Sequence, residues 1–317
     1  MIIPLINPID QPQNRFVRCI VWTICKVWGR GVMFLFGYYI VREKGELNEK
    51  AKIIICGPHS SSIDMFFCLY KFAPSFAVAE FLTRNPFLKH LAKITNCLVI
   101  DRKQSGSSEQ FVHDLKRRVN FIDEQGRQFP RVVVFPEGAT GNGRSLNYFH
   151  TGAFLPGEPI QVCILKYIDD LNWTQWSVRN WVFHFSTIMC QLSNRLEVTY
   201  LPLYYPSVAE IEHPKLFAYN VKYAMAMKAQ LTCTDLRYQD REEYEQCRKE
   251  IIRLGFKVPQ PKSAEEQFRN AKQPLISVDP DSIDEKRAIF HSTHSLPSPQ
   301  ILKLIEAPQR EKPPPNY

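Results

Sequence analysis

The chain has 317 residues, 44% of them hydrophobic, which is enough for one sizeable core or one core plus a small extra element. Its net charge of +8 favours anionic partners but does not choose among nucleic acid, anionic lipid, a phosphorylated substrate or coenzyme A. Nine cysteines, an odd number without a CxxC pair, argue against a disulfide framework and for buried, reduced thiols facing a cytosol-like compartment.

The first residues, Met1 to Gln13, are rich in Pro, Asn and Gln and do not read as a secretory signal. Residues 16–41 form an apolar and aromatic stretch interrupted by Arg18, Lys26 and Arg30. A single straight span would hold Lys26 and Arg30 near its middle at ~2.5–3.5 kcal/mol each, and no uninterrupted run reaches the ~20 residues a crossing needs. A pair of short interfacial helices fits better, with Trp22, Trp28, Tyr38 and Tyr39 at headgroup depth and the basic side chains snorkelling to phosphates. A buried helix hairpin and a strongly tilted span remain alternatives.

From residue 50 to about 255, short apolar runs alternate with helical patterns. Lys52–Cys56 reads as a buried strand broken by Gly57-Pro58, and Met65–Phe72 as a helix. Asn96–Ile100 reads as a strand, followed by a polar turn and a helix from about Ser108 to Glu124. Arg131–Phe135, 160–167 and Leu196–Leu203 supply three more strands. The expected architecture is α/β: a mixed central sheet flanked by helices, with an N-terminal membrane-associated helical segment. The expected domains are that segment over 1–48, a catalytic domain over 49–257, and a mostly disordered Pro-, Ser- and charge-rich tail over 258–317.

Three of these strands end at unusual motifs, where chemistry collects in α/β sheets. After the first come His59-Ser60-Ser61-Ser62-Ile63-Asp64. Positions five apart lie about 140° apart on a helix, so His59 and Asp64 can meet only with His59 in the turn and Asp64 in the first helical turn. One of the serines can cap the helix. An Asp that accepts the Nδ1 proton leaves Nε2 free as a base for a substrate hydroxyl. By itself an H-x4-D spacing is more often a turn His and a helix-start Asp with structural roles.

After the next strand, Asp101-Arg102-Lys103-Gln104-Ser105-Gly106 joins two cations to small residues and a helix start, either a phosphate cradle or a solvated basic turn. Lys116-Arg117-Arg118 reads as an exposed helix face. The third motif, Phe135-Pro136-Glu137-Gly138-Ala139-Thr140-Gly141-Asn142-Gly143-Arg144, sets an acid, glycines, Thr, Asn and Arg at the end of an apolar strand. Glycine lets backbone amides approach a ligand, and Glu137 could orient Arg102 or bind a headgroup hydroxyl. Pro159 fixes the entry to the following strand.

Taken together and in this order, the motifs resemble the glycerophospholipid acyltransferase superfamily, the PlsC-like enzymes, over residues 50 to 165. The stretches FPEGATGNGRSLNYFHTGAFLPGEPIQVCILKY, LNWTQW, LEVTYLPLYYPS and HPKLFAYNVKYAMA look most like the lysophosphatidylcholine acyltransferase branch and extend the likeness to about residue 250. The resemblance implies acyl transfer from acyl-CoA to a lysophospholipid. It makes His59 the general base, Asp64 its orienting acid, and Arg102 the grip on the acceptor phosphate. Glu137, Gly138 and Asn142 match the motif that shapes the acceptor site. Ala139 stands where the family often has Thr, and Thr140 follows as a candidate acceptor contact. No metal or cofactor is implied beyond acyl-CoA as co-substrate, no EF-hand loop is found, and the implied location is the endoplasmic reticulum membrane with the catalytic domain facing the cytosol. Rival readings are a lysophosphatidic acid or glycerol-3-phosphate acceptor and a catalytically silent lipid-binding protein. A serine hydrolase lacks a G-x-S-x-G elbow, and no nucleic-acid motif is present.

Overall fold

In the computed structural model, residues 11–80, 84–100, 107–168 and 181–237 are described, with single positions at 240, 246 and 253. The tail 258–317 and the Arg102 turn lie outside the described residues. All elements below belong to one unit of the chain.

The stretch after Asn14 forms one helix, α1 (Arg15–Leu35), of 21 residues. The Asn14 side chain starts it by accepting from the amides of Phe16 and Val17 at 2.8 and 3.1 Å. The expected break into two short helices does not occur, because the cations that interrupt the apolar run find partners along the helix. Arg18 donates to the Ala73 carbonyl at 2.9 Å, Arg30 to the carbonyls of Tyr38 and Tyr39, and Lys26 lies 3.8 Å over the Trp22 ring. Val17, Val21, Cys25, Gly29 and Met33 recur every four residues as a buried stripe. That stripe packs on α2 (Ile63–Phe72), and a Cβ on Gly29 would stand 2.7 Å from the Phe66 carbonyl and the Tyr70 amide. Among the described residues no helix is long and apolar enough to cross a membrane.

Seven strands form the sheet, in the order β1-β8-β7-β2-β5-β3-β4. They are β1 (Ile40–Lys44), β2 (Ile53–Gly57), β3 (Ser75–Ala79), β4 (Leu98–Ile100), β5 (Val132–Val134), β7 (Ile160–Ile168) and β8 (Arg195–Tyr204). The pairs from β7 through β4 are parallel, β8 is antiparallel to β7, and β1 is parallel to β8, so the sheet is mixed. Side chains of a strand alternate between faces. Ile54 and Cys56 of β2, Val133 of β5, and Cys163, Leu165 and Tyr167 of β7 join the core that also holds α1 and α2. Ile55, Val132, Val134, Val162 and Ile164 are buried on the other face, whereas Lys166 is exposed. There Met225 of α7 (Pro214–Ala229) reaches Gly57, where a Cβ would stand 2.8 Å from its sulfur.

Helices α3 (Pro86–Ile94), α4 (Ser107–Asn120), α5 (Trp181–Met189) and α6 (Val208–Glu212) complete the layers, with a short ladder of β6 (Ser145–Leu146) and β9 (Thr232–Cys233). β1, α1 and the rest of the sheet share one core, although β1 precedes residue 49. The basic run on α4 is not uniformly exposed. Arg118 follows Phe111 and Leu115 on the buried face, donates to the Ser75 hydroxyl at 3.2 Å and to the Asn96 carbonyl, and lies over Phe129. Gln161 ties β7 to the β1–β2 connection, with its amide on the carbonyls of Glu46 and Leu201 and its oxygen accepting from Asn48.

Candidate active site

β2, β5 and β7 run in one direction, so their C-terminal ends gather the segments that follow β2 and β5 beside the last residues of β7. His59 lies in the turn after β2, and Asp64 is the second residue of α2. His59 Nδ1 and Asp64 Oδ2 are 2.9 Å apart, as a turn-and-first-helical-turn placement requires. Asp64 has no exposed surface, whereas the His59 side chain is 20% exposed. The ring of His59 stacks on Phe135 at 4.2 Å between centroids, and its Nε2 lies 3.4 Å from the Thr140 hydroxyl.

Of the serines it is Ser61 that bonds the start of α2, its Oγ accepting from the Ile63 amide at 3.3 Å. Ser62 occupies the cap position without a side-chain bond. Instead the Asp64 carboxylate reaches back, and Oδ2 accepts from the amides of Ser60 and Ser61 at 2.9 and 3.0 Å. The helix start draws negative charge, and those two amides lie in the turn just ahead of it. Ser60 and Ser61 are themselves buried, and Ser61 Oγ lies 3.4 Å from Nε2 of His184 on α5. The same Nε2 accepts from the Ser62 amide, so it carries no proton there. Burial holds the His184 pKa below its ordinary value, against the pull of Asp64.

Glu137 is buried rather than presented to solvent. Oε1 accepts from the His59 amide at 2.8 Å and Oε2 from the Asn147 amide at 3.0 Å. Burial raises its pKa, and those two amides and His59 oppose the rise. The carboxylate thus links the loop after β5 to the turn after β2. A second tie runs from the Gly141 amide to the His59 carbonyl at 2.6 Å. Gly138 takes a left-handed backbone at φ 67°, which a side chain would strain. Asn142 is exposed, and its Oδ1 accepts from the Arg144 amide at 3.0 Å within its own turn.

The site therefore assembles His59, Asp64, Glu137, Gly138 and Thr140. Asn142 stands at its margin, and Arg102 lies outside the described residues. A cavity of about 110 Å³ adjoins the turn, lined among others by Pro58, Ser60, Gly143, Lys166 and Tyr167. Sequence reasoning missed Tyr167, whose phenol donates to Asp64 Oδ1, and His184 and Asn147. The available signal for Tyr167 was a polar-tipped aromatic closing an apolar strand. Its meaning depended on β7 lying beside β2, which a single sequence does not show.

The three buried thiols beneath the site are unoxidised, with Cys56 and Cys68 sulfurs 3.8 Å apart. All eight described cysteines are free, and Cys19, Cys190 and Cys233 are exposed rather than buried.

Comparison with known proteins adds a family. Residues 39–156 match the Acyltransferase family model. A lysophospholipid acyltransferase of Arabidopsis thaliana is 30% identical over 70% of this chain and 41% of its own length. Lysophosphatidylcholine acyltransferase 1 of Danio rerio is 33% identical, over 70% and 43%. Lysophosphatidylcholine acyltransferase 2 of Rattus norvegicus is 28% identical, over 73% and 42%. The chain thus spans about two fifths of the length of these curated relatives. The crystal structure of a 1-acyl-sn-glycerophosphate acyltransferase from Thermotoga maritima aligns with 64% of this chain and 77% of its own, with a TM-score of 0.42 and 14% identity.

Proposed function

The chain carries an Acyltransferase-family domain over residues 39–156, and on that premise we propose that it transfers a fatty acyl group from acyl-CoA to the free hydroxyl of a lysophospholipid. The observation that carries this reading is the buried Asp64 carboxylate bonded to Nδ1 of a part-exposed His59. With the Nδ1 proton held there, Nε2 is the basic nitrogen, 3.4 Å from the Thr140 hydroxyl.

Nε2 takes the proton from the acceptor hydroxyl as its oxygen attacks the thioester carbonyl. The imidazolium that forms keeps its Nδ1 contact with Asp64 Oδ2. The tetrahedral intermediate collapses, the carbon–sulfur bond breaks, and the coenzyme A thiolate leaves with the proton returned by His59. Direct attack needs no acyl-enzyme, in keeping with the burial of Ser60 and Ser61. Backbone amides of the Gly138 loop are candidates for holding the oxyanion. The grip of Arg102 on the acceptor phosphate, and acceptor contacts by Thr140 and Asn142, are carried from the sequence resemblance. Glu137 serves the acceptor site indirectly, by joining its two loops.

The lipid side of the proposal is supported by α1. Phe16, Ile20, Ile24, Val27 and Leu35 are exposed on a helix whose opposite stripe is buried. An apolar face of this kind, interleaved with cations, suits the surface of a bilayer. We assign the protein to the endoplasmic reticulum membrane with its thiols facing the cytosol. The test is release of free thiol from acyl-CoA by membranes carrying the protein, with lysophosphatidylcholine, lysophosphatidic acid or glycerol-3-phosphate as acceptor. The expected result is acceptor-dependent release, greatest with lysophosphatidylcholine and lost in His59→Ala. Release by His59→Ala equal to that of the native chain removes the base assignment.

A further inference from the structure

Asp64 is a carboxylate with no exposed surface, and each of its oxygens has a distinct set of donors. Oδ2 takes His59 Nδ1 and the amides of Ser60 and Ser61, all within the short segment that ends at Asp64. Oδ1 takes the Tyr167 phenol, from 103 residues away. The local donors thus all meet Oδ2, and Tyr167 is the donor that reaches the carboxylate from another strand.

The sheet brings Tyr167 there. β7 runs parallel to β2 with Gly57 opposite Ile164, so the last residues of β7 extend alongside the turn that holds His59. Tyr167 shares a face with Cys163 and Leu165, the face covered by α1 and α2. Its ring is buried, with Tyr38 edge-on at 5.8 Å. Burial, with the charge of Asp64 next in effect, pushes the phenol well above its ordinary value, so it stays a donor wherever the enzyme folds.

We propose that Tyr167 is a positioning residue of the reaction: its hydroxyl anchors Oδ1 of Asp64 to β7 and so sets how firmly Oδ2 accepts from His59 Nδ1. It touches neither substrate. The proposal rests on the reading of His59 as general base. A hydrogen bond to the charged form of an acid favours that form. Without that bond the Asp64 charge is less spread, and Oδ2 holds the imidazolium of His59 more strongly. The acid limb of the kcat/KM profile moves to higher pH. Other titratable groups face this pair: Glu137 from the loop after β5, His184 from α5, Cys56 and Cys68 from β2 and α2, with Tyr38 against Tyr167. All of them remain in every variant below, so a shift that follows the chemistry of residue 167 is assigned to that residue.

The test measures kcat, KM and kcat/KM against pH, with acyl-CoA and lysophosphatidylcholine, for the native chain, His59→Ala, Tyr167→Phe, and chains with fluorinated tyrosines at position 167. Tyr167→Phe is expected to lower kcat roughly 10-fold, leave KM for lysophosphatidylcholine within about twofold, and raise the acid limb by about one pH unit. Fluorotyrosines keep the ring and hydroxyl but donate more strongly, and the acid limb is expected to move the other way as fluorine is added. If Tyr167→Phe does not fold, the fluorotyrosine series decides alone. A profile unmoved across that series assigns Tyr167 to packing only and overturns the proposal. Full activity in His59→Ala instead overturns the base reading, a separate result.

Discussion

The turn after β2 and the outer face of α1 invert the usual arrangement of a folded chain in opposite ways. At the turn, two carboxylates are removed from water, Asp64 completely and Glu137 at 4% exposure. On α1, Ile24 is 60% exposed, Val27 69% and Leu35 76%. Burying a charge is costly unless donors surround it, and Asp64 has four. Exposing one apolar side chain means little, but a row of them along one helix marks a surface with a partner. The interior inversion is satisfied within the chain. The surface one finds no cover among the described residues, and a bilayer is the partner we propose.

The largest expected effect separates chemistry from stability inside the turn. His59→Ala removes the base but leaves Asp64 three other donors, so acyl transfer falls by ~10²–10⁴ while the urea midpoint changes little. Asp64→Ala removes the acceptor for two backbone amides and a buried phenol. Each such group left unpaired costs about 1–3 kcal/mol, so this variant loses activity and stability together. Equal stability of the two alanine variants, read by urea unfolding, would mean that the carboxylate does not hold the turn.

The surface region is tested by charge. Ile24→Glu with Val27→Glu should weaken co-sedimentation with anionic phospholipid vesicles on the order of 100-fold, since each apolar side chain contributes ~1.5 kcal/mol or more when buried. The stability of the protein in solution should stay within about 0.5 kcal/mol, because neither side chain packs in the core. Vesicle binding equal to that of the native chain would show that this face meets something other than lipid.

Between the two regions lies the contact of α1 with α2. Gly29→Leu forces a side chain into the backbone of Phe66 and Tyr70, and should destabilise the fold by about 1–3 kcal/mol, read as a lower unfolding midpoint. Gly31, with nothing within 4 Å of a Cβ, is the control on the same helix. Unchanged stability in Gly29→Leu would mean that α1 moves as an independent segment.

What the sequence disclosed of all this depended on range. β2, β7 and β8 announce themselves as apolar runs and end within a residue of their expected bounds, whereas α4 stops at Asn120, four residues before the expected Glu124. β1 was missed because its residues, IVREK, are mostly half-exposed at a sheet edge. β3 was missed because SFAVA is short and follows a helix closely. The His59–Asp64 contact was legible because five residues and one helix turn define it. The β7 partner of Asp64, the His59 amide on Glu137, and the burial of Arg118 come from strand order and helix packing that no local pattern contains.

The smallest effect concerns Glu137, and it tests whether the interior inversion is fully compensated. Burial raises this carboxyl pKa, and the amides of His59 and Asn147, with His59 itself, only partly reverse that. A folded pKa above the unfolded value means that the protonated form is favoured by folding. That contribution to stability is complete below the ordinary value of 4.5 and fades as pH rises through the folded value. Glutamine at 137 cannot titrate, so the unfolding midpoint of the native chain minus that of Glu137→Gln should shrink as pH rises from 4.5. The offsetting amides make this trend slight, and other groups titrate equally in both chains and cancel. A difference that grows with pH would mean that the two amide bonds outweigh burial, and that the link between the loops is strongest when Glu137 is charged.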